Sequence, residues 1–526
     1  MTTSTISPLL TISGTTIAVG AIIYLWIWST RGVDSPQARS ETATRNRFTR
    51  NAITPLISSG FDRLIFWAFW IVALRILGPE RNGEYAFATN LLTYFVATVD
   101  FGLSTILTRD IARRNTDLRP LFGAALTIRL RLVAVSMPVM IGLAIIYWAT
   151  GSISTLTLAT VTILAIGLLP TAIGQAFASI YGAWERMDRR AIVSAGTSAL
   201  TVGLGLLLLG LGAGVLGLAI AGVMSGIASL FTLGRPIGFH LLRASQHTRT
   251  PTRPLLLAGL PLMLNGLLAT IFIQADVLIL QPLHGTVVVG HYNAAFKFIN
   301  ALNSIPAALV LAAFPLMARA AHDPDDLARW VTRVWRILAS LAAPAVVLIF
   351  AHAESVVGTL LGNQFLPFTA NALAILIWFL PMSYLNGTLQ YVVIARDRQW
   401  WLTPAFLITT AFNIGTNMAL VPTFGFQAAA ATTIASEVVL LTMLVWLLRG
   451  ESWLPRIVEP AARPFAASVT LAVVTWLLRD LSWLLAATIG LTTYATVLIA
   501  TGGISRSVFD VVKVITNRWP SNEPNN

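Results

Sequence analysis

The sequence predicts an all-α polytopic membrane protein, and three observations lead to this prediction. Of the 526 residues, 56% are hydrophobic and only 11% are charged, whereas soluble domains carry about 25% charged residues. Apolar runs of about 20 residues, the length that a transmembrane helix needs, recur along almost the whole chain. Loops rich in basic residues alternate with loops that are poor in them. These features leave no room for a separate soluble domain.

Fifteen apolar segments are expected to form the helices. Short polar loops separate them, and the last two are close enough to form a hairpin. The predicted helices span residues 9–29, 52–76, 84–107, 121–148, 155–182, 191–210, 214–235, 255–281, 288–316, 329–351, 367–394, 402–421, 426–448, 464–479 and 482–502.

The distribution of charge predicts the orientation of these helices. Most of the 35 Lys and Arg residues lie in every second loop, beginning with 31–50, and the intervening loops hold only Arg81 and Arg479. Basic loops stay on the cytoplasmic side of a membrane, so the rich loops and the C-terminal tail are predicted to be cytoplasmic. The formal net charge of +13 is therefore explained by topology, and no nucleic-acid partner is expected.

The absence of cysteine excludes several kinds of chemistry. With no Cys in the chain, disulfides, thiolate metal sites and cysteine nucleophiles are all ruled out. The six histidines show no metal-ligand spacing. No cofactor and no metal site are expected, although transport coupled to H⁺ or Na⁺ remains open.

Two short patterns occur twice and indicate a duplicated module. P-L-x-x-x-G begins at Pro55 and again at Pro261, and G-x-Y-x-x-A begins at Gly83 and again at Gly290. Each copy lies at the start of a half that contains six predicted helices. Because six is an even number, both halves begin on the same side of the membrane and are parallel repeats. The predicted architecture is two parallel six-helix lobes around a central cavity, plus a C-terminal two-helix hairpin and one extra N-terminal apolar helix.

The predicted organisation follows from the repeat. No Lys or Arg precedes the first apolar segment and Arg31 follows it, so it would insert with its N-terminus outside; alternatively, translation starts later, for example at Val33. The expected divisions are 1–47 (N-terminal helix and basic linker), 48–236 (N-lobe), 237–254 (cytoplasmic linker), 255–450 (C-lobe), 451–503 (hairpin) and 504–526 (cytoplasmic tail).

Several strings in the chain resemble a known family. They read ALRILGP at 73–79, GEY at 83–85, DFGLS at 100–104 running into TRDIA at 108–112, ADVLIL at 275–280 and GHYNAAFK at 290–297. They are similar to polysaccharide flippases, the O-antigen and lipid-linked oligosaccharide translocases of the multidrug/oligosaccharidyl-lipid/polysaccharide exporter superfamily. The resemblance covers about residues 51–502.

The resemblance implies partners and a location. It implies a polyprenyl-linked glycan lipid as substrate, contact with membrane lipids, and glycosyltransferases or a polysaccharide polymerase as partner proteins. It implies a multi-pass protein of the cell (inner) membrane that acts as a monomer.

Charged residues inside the predicted helices are the first candidates for function. A Lys or Arg at mid-membrane costs about 2.5–3.5 kcal/mol on insertion scales, so it is seldom there without a role. Arg63 lies about 18 Å along its helix, at 1.5 Å per residue, and its counterpart in the second repeat is near the uncharged Ala269. We expect Arg63 to bind a phosphate or pyrophosphate head in the cavity; the alternative is a structural ion pair with Asp100.

Two further charges lie on neighbouring helices of the second half. Lys297 is expected to receive the anionic head as it moves outward, and Asp276 to release it by protonation or ion binding. An ion pair between the two, structural or gating, explains the same pattern.

The remaining candidates have weaker support from the sequence. Arg129 and Arg131 would guide an anionic head into the cavity, or else snorkel to the cytoplasmic surface. Glu437 would carry a proton or form hydrogen bonds in the cavity. Asp100 is a further candidate for gating or ion coupling. The pairs Asn386 with Gln390 and Asn413 with Asn417 each share a helix face and would line a sugar cavity; interhelical hydrogen bonds are the alternative.

Together these features predict a carrier that flips a polyprenyl-pyrophosphate-linked oligosaccharide outward by alternating access. One rival is an organic-cation antiporter of the same superfamily, which would present carboxylates rather than Arg and Lys in its cavity. A second rival is a membrane glycosyltransferase or polymerase, which needs acids or bases on a sizeable loop. The longest predicted outer loop, 352–366, holds only His352 and Glu354.

Overall fold

Helices make up almost all of the structure, a computed structural model that describes residues 3–30, 42–113, 118–238 and 252–503. Side chains are described at 10–25, 65–113, 118–238 and 252–503, apart from positions 305, 308, 312 and 455. Within these ranges no strand occurs. The all-α prediction is therefore confirmed.

The described ranges contain fifteen α-helices. They are α1 (Thr3–Thr30), α2 (Thr42–Asp100), α3 (Leu103–Arg113), α4 (Leu118–Ala149), α5 (Thr155–Ile166), α6 (Leu168–Ala183), α7 (Met187–Gly210), α8 (Gly214–Ile237), α9 (Thr252–Arg319), α10 (Pro324–Leu360), α11 (Phe368–Leu376), α12 (Phe379–Ala395), α13 (Leu402–Leu447), α14 (Glu459–Leu477) and α15 (Trp483–Ala500).

Every predicted apolar segment is helical, but six of them are joined in pairs. In α2, α9 and α13 two predicted segments follow one another across a single non-helical residue, Gly78, Gly285 or Gly425. Gly78 has φ 71° and ψ 177°, and Gly285 has φ 78° and ψ 177°. Side-chain-bearing residues rarely adopt a positive φ, so glycine allows each turn to be made by one residue.

Ten helical stretches of the described residues are long and apolar enough to cross a membrane. Three of them, at 49, 60 and 49 residues, are the paired helices of α2–α3, α9 and α13. The protein is thus a multi-pass membrane protein.

The chain divides into two compact units, Met1–Asn293 and Ala294–Asn526. The division falls within α9, whereas the repeat predicts a linker at 237–254. The lobe boundaries stay a prediction, since residues 239–251 lie outside the described part of the chain.

In the first unit, the N-terminal helix α1 packs against α7 and α8. Ala18, Ala21 and Leu25 of α1 join one apolar cluster with Val193 and Leu200 of α7. Small side chains let membrane helices approach closely, and van der Waals packing then holds them together.

The two repeat patterns meet within this first unit. The amide nitrogen of Asn82 donates to the Gly290 carbonyl oxygen at 2.7 Å. A Cβ atom on Gly83 would lie 1.9 Å from the carbonyl oxygen of Thr286, and one on Gly290 would lie 1.7 Å from that of Pro79. The repeat glycines are therefore needed because two backbones touch here.

The second unit is built around α10. This helix packs against α11, α12, α14 and α15, and Tyr494 of α15 donates to the Ser340 carbonyl oxygen at 3.0 Å. The predicted C-terminal hairpin is present and is anchored on α10.

Four predicted segments differ from the structure. The predicted helices 155–182 and 367–394 are each divided, into α5 and α6 and into α11 and α12. The predicted helix 84–107 is interrupted after Asp100, where Phe101 and Gly102 have φ of 50° and 71°. The predicted outer loop 352–366 is helical as far as Leu360, because α10 continues past a kink at His352.

Candidate functional site

Arg129 is buried in a network of hydrogen bonds. It lies eleven residues into α4, about 16 Å from the helix start at 1.5 Å per residue, and it is 0% exposed. Its Nη1 donates to the Ala172 carbonyl oxygen at 2.8 Å, and its Nη2 donates to Asp100 Oδ1 at 2.7 Å and to Ser104 Oγ at 2.8 Å. Arg129 therefore does not snorkel to the surface.

Asp100 forms an ion pair with Arg129 at the interruption between α2 and α3. It is the last residue of α2, and Ser104, one turn later in α3, also donates to Asp100 Oδ1. The Asp100 side chain is 27% exposed. This geometry neutralises the arginine and fixes the angle between α2 and α3.

Arg131 has a different setting from Arg129. It lies two residues further along α4 and is exposed. A guanidinium in this position is available to lipid or substrate. Of the two predicted α4 arginines, only Arg131 has its side chain on the surface.

Asp276 is buried and hydrogen-bonded in the first unit. It is 2% exposed, and Tyr292 donates its phenolic hydrogen to Asp276 Oδ2 at 2.5 Å. The first arm of α9 continues to the turn at Gly285. Asp276 therefore lies nine residues from that turn, about 14 Å at 1.5 Å per residue. It is thus deeper than the predicted helix end at 281 implied.

Lys297 is similarly deep on the other side of the same turn. It lies twelve residues after Gly285, about 18 Å along the helix, and its side chain is half-buried. Since the hydrocarbon core is about 30 Å thick, the ammonium-bearing residue lies near mid-depth. Its predicted ion pair with Asp276 stays a prediction, because the two residues belong to different units.

Asn386 and Glu437 contact each other in the second unit. The Asn386 amide nitrogen donates to Glu437 Oε2 at 2.5 Å and to the Glu437 carbonyl oxygen at 2.9 Å. Asn386 is 1% and Glu437 4% exposed, and Asn386 Oδ1 has no partner among the described residues. The Glu437 carboxylate thus belongs to the same pair as an amide oxygen, Asn386 Oδ1, that accepts no hydrogen bond. Such a group of oxygens is chemically suited to take up a proton or a cation.

A second polar network lies on α13, the helix that carries Glu437. Asn413 donates to Ser436 Oγ at 3.1 Å, and Asn417 donates to Asn413 Oδ1 at 3.1 Å. All three residues are buried. The bond from Asn413 to Ser436 joins the two arms of α13 on either side of Gly425, as the predicted alternative of interhelical hydrogen bonds requires. Gln390, by contrast, is half-buried on α12.

Arg63 lies within α2, but its side chain is outside the described residues. Its contact with an anionic head stays a prediction.

Three partner residues were missed at the sequence level. Ser104, Tyr292 and Ser436 hold Asp100, Asp276 and Asn413 respectively. Tyr292 belongs to the repeated G-x-Y pattern, and its copy Tyr85 packs beside Trp70. The second copy thus places a carboxylate against its tyrosine where the first copy places an aromatic ring.

Comparisons with known proteins agree with this architecture. The family model described as polysaccharide biosynthesis protein matches residues 48–321. The structure is similar to that of the lipid II flippase MurJ in an inward closed conformation, with a TM-score of 0.70 and 11% identity over 86% of this chain and 99% of that one.

A second structural likeness is to a multidrug resistance MATE family transporter of the MOP superfamily in an inward-facing conformation. Here the TM-score is 0.61 and the identity 17%, covering 75% of this chain and 96% of that one. At such identities the likenesses show the fold alone. No curated protein matches the sequence.

Proposed function

The chain belongs to the polysaccharide biosynthesis protein family, and we propose that it flips a polyprenyl-pyrophosphate-linked oligosaccharide from the cytoplasmic to the outer leaflet. Family and fold together make it a transporter with a flippase-like fold. The observation that carries the choice of substrate is Lys297, a cation near mid-depth of a membrane helix. An anionic lipid head is a ligand that favours a cation at this depth.

In the proposed mechanism, two lobes enclose the pyrophosphate and glycan while the polyprenyl tail remains in lipid. Rocking of one lobe against the other exposes the head on the outer side. Arg63 and Lys297 bind the phosphates in turn, and Arg131, exposed on α4, attracts them. The half-buried Gln390 offers an amide to sugar hydroxyls.

The contacts of Arg129 support a different role from substrate binding. Both Nη atoms already donate to protein oxygens. We assign Arg129 and Asp100 to positioning α3 and α4, rather than to contact with the lipid head or to gating.

The membrane potential favours outward movement of such a head. Each negative charge that moves outward across 100 mV, negative inside, gains about 2.3 kcal/mol. A pyrophosphate diester carries about two charges and so gains several kcal/mol. Glu437 with Asn386, and Asp276 with Tyr292, are the proposed sites where H⁺ or Na⁺ couples to the cycle.

The proposal extends to location and partners. The protein resides in the cell (inner) membrane with its basic loops in the cytoplasm, and it works as a monomer beside glycosyltransferases or a polysaccharide polymerase. It needs no cofactor and makes or breaks no covalent bond.

The organic-cation antiporter is the runner-up, and the carboxylates argue against it. Asp100, Asp276 and Glu437 each accept a hydrogen bond from a protein donor. Asp100 is neutralised by Arg129, and the burial of Asp276 and Glu437, at 2% and 4% exposure, suits a proton or Na⁺ better than an organic cation.

The test is flipping of a fluorescent lipid-linked oligosaccharide in proteoliposomes that contain purified protein. We expect Lys297→Ala to slow flipping about tenfold or more, because a charge-assisted contact to phosphate is lost. Lys297→Arg keeps the charge and should retain most of the rate. Arg63→Ala should behave like Lys297→Ala.

Equal rates for wild type and Lys297→Ala, at equal protein content, would remove the basis of this proposal. Efflux of a cationic dye by the same proteoliposomes, without lipid flipping, would favour the antiporter.

A further inference from the structure

A cavity of about 770 Å³ lies in the second unit. We call it the arginine pocket, because Arg329, Arg333, Arg336, Arg456 and Arg463 line it. It forms where α10 and α14 begin and where the segment between α13 and α14 passes them. None of the proposed substrate or coupling residues lines it.

The charge of the arginine pocket is not balanced by its own acids. Two carboxylates, Asp325 and Glu459, face five arginines. Arg329 pairs with Asp326 at 2.9 Å. For the other four arginines, no carboxylate of the described residues lies within ion-pair distance.

Two of these arginines also repel each other. Arg336 and Arg463 are near enough for a direct unfavourable charge interaction. Folding places them together on two different helices although nothing in the described part of the chain neutralises them. A bound anion would remove that repulsion.

A second, independent observation points to a missing hydrogen-bond acceptor. Trp453 lines the pocket and is 8% exposed, and its indole Nε1 has no hydrogen-bond partner among the described residues. A buried N–H without an acceptor costs about 1–3 kcal/mol, so such groups are normally satisfied. An oxygen atom of an anion in the pocket would accept this hydrogen bond.

The position of the pocket favours a lipid rather than a soluble anion as its ligand. Its residues lie within 317–336 and 449–463, at the starts of α10 and α14, and the charge pattern predicts that both stretches are cytoplasmic. From the pocket α14 continues as an apolar helix, with Phe465, Val469 and Val473 exposed at helical spacing. Basic pockets between helices at the cytoplasmic face bind the head groups of anionic lipids.

We propose that the arginine pocket binds the phosphate head group of an anionic phospholipid, with its acyl chains along the exposed face of α14. A head group with two phosphates matches the excess of arginines best. The guanidinium groups of Arg333 and Arg456 and the Trp453 N–H hold the phosphate oxygens. None of the residues on the proposed path of the transported lipid lines this site.

The test is native mass spectrometry of the full-length protein in a neutral detergent. The probes are cardiolipin, phosphatidylglycerol, phosphatidylcholine and inorganic pyrophosphate, each titrated separately. We expect cardiolipin to bind best and phosphatidylcholine not to be retained. Arg333→Gln with Arg456→Gln should weaken cardiolipin binding about tenfold or more, because charge-assisted hydrogen bonds are lost.

Two further variants make the result specific. Trp453→Phe keeps the ring and removes the N–H, so cardiolipin should bind about three- to tenfold more weakly. Arg449→Gln removes an exposed arginine that stacks on Trp446 outside the pocket, and binding should not change. Should the double variant fail to fold, Trp453→Phe against Arg449→Gln decides the question alone.

Three outcomes would overturn the proposal. They are wild-type cardiolipin binding by the folded double variant, equal retention of phosphatidylcholine, and binding of free pyrophosphate as tight as that of cardiolipin. The last result would assign the pocket to a soluble phosphate. Each readout is lipid binding, so it stands apart from the flipping rate that tests the proposed function.

Discussion

Gly83 and Gly290, the equivalent glycines of the two repeats, lie against each other in the first unit. A Cβ atom on Gly290 would lie 3.0 Å from the Gly83 backbone nitrogen. Each glycine also meets a carbonyl oxygen of the other repeat, Thr286 for Gly83 and Pro79 for Gly290. The duplication therefore produces a reciprocal backbone contact beside the turns at Gly78 and Gly285.

This contact predicts that Gly83→Ala destabilises the protein by about 2 kcal/mol or more, since overpacking forces backbone shifts. Thermal unfolding in detergent measures the change. Gly266→Ala is the matched control, because a Cβ there meets nothing within 4 Å. In a helix that control should be neutral or gain about 0.5–1 kcal/mol. Equal stability of the two variants would contradict the close contact.

The Arg129–Asp100 pair predicts an asymmetric cost of mutation. Asp100→Asn leaves a fully buried arginine without its counter-charge, whereas Arg129→Met leaves an aspartate that is 27% exposed. We expect Asp100→Asn to cost about 3–5 kcal/mol and Arg129→Met less. The unfolding midpoint of each purified variant tests the order.

The double variant Asp100→Asn/Arg129→Met removes both charges and should recover part of the loss. Arg131→Met, two residues away and exposed, should change stability by no more than about 0.5 kcal/mol. If Asp100→Asn is as stable as the wild type, the pair does not hold α3 and α4.

The contact between Asn386 and Glu437 predicts separable effects on folding and coupling. Glu437→Gln keeps an oxygen for the Asn386 amide, so the protein should fold, but flipping should no longer respond to an imposed pH gradient. Glu437→Leu leaves that amide without its side-chain acceptor and should cost about 1–3 kcal/mol. Flipping in proteoliposomes with and without the gradient is the measurement.

Ser436→Ala serves as the neighbouring control, because Ser436 bonds to Asn413 and not to Asn386. It should keep the response to the gradient. A gradient response in Glu437→Gln equal to that of the wild type would exclude Glu437 as the coupling group.

The charge pattern predicts which surface loops face the cytoplasm, and the natural absence of cysteine makes this easy to test. Thr150 and His322 are both exposed, in loops predicted to lie outside and inside. A membrane-impermeant maleimide should label Thr150→Cys in intact cells. It should label His322→Cys only after permeabilisation. The reverse pattern would invert the predicted orientation.

Much of the fold was predictable because it depends on local properties of the chain. Lipid cannot hydrogen-bond to the backbone, so each long apolar run had to be helical. The predicted positions of the helix ends were less accurate, since α10 continues through the predicted loop at 352–360. Apolar runs predict that a helix exists better than where it ends, since His352 and Glu354 do not by themselves stop a helix.

The candidate site was predictable only as a set of residues. Arg129, Asp100, Asp276, Asn386 and Glu437 stand out because polar groups are costly in lipid. Asn386 and Glu437 were placed in separate roles, yet they are hydrogen-bonded to each other across 51 positions of sequence. Arg129 was expected near the surface or at the substrate, and it is buried against Asp100.

Composition and apolar run length were enough to establish a helical membrane protein, because burial in lipid acts on each segment separately, and the repeated motifs predicted its duplication. Tertiary structure alone decided which charges pair, which glycines touch and where five arginines converge. Those properties depend on distances between segments far apart in the chain. A one-dimensional pattern carries no such distance, whereas packing brings each side chain to a specific partner.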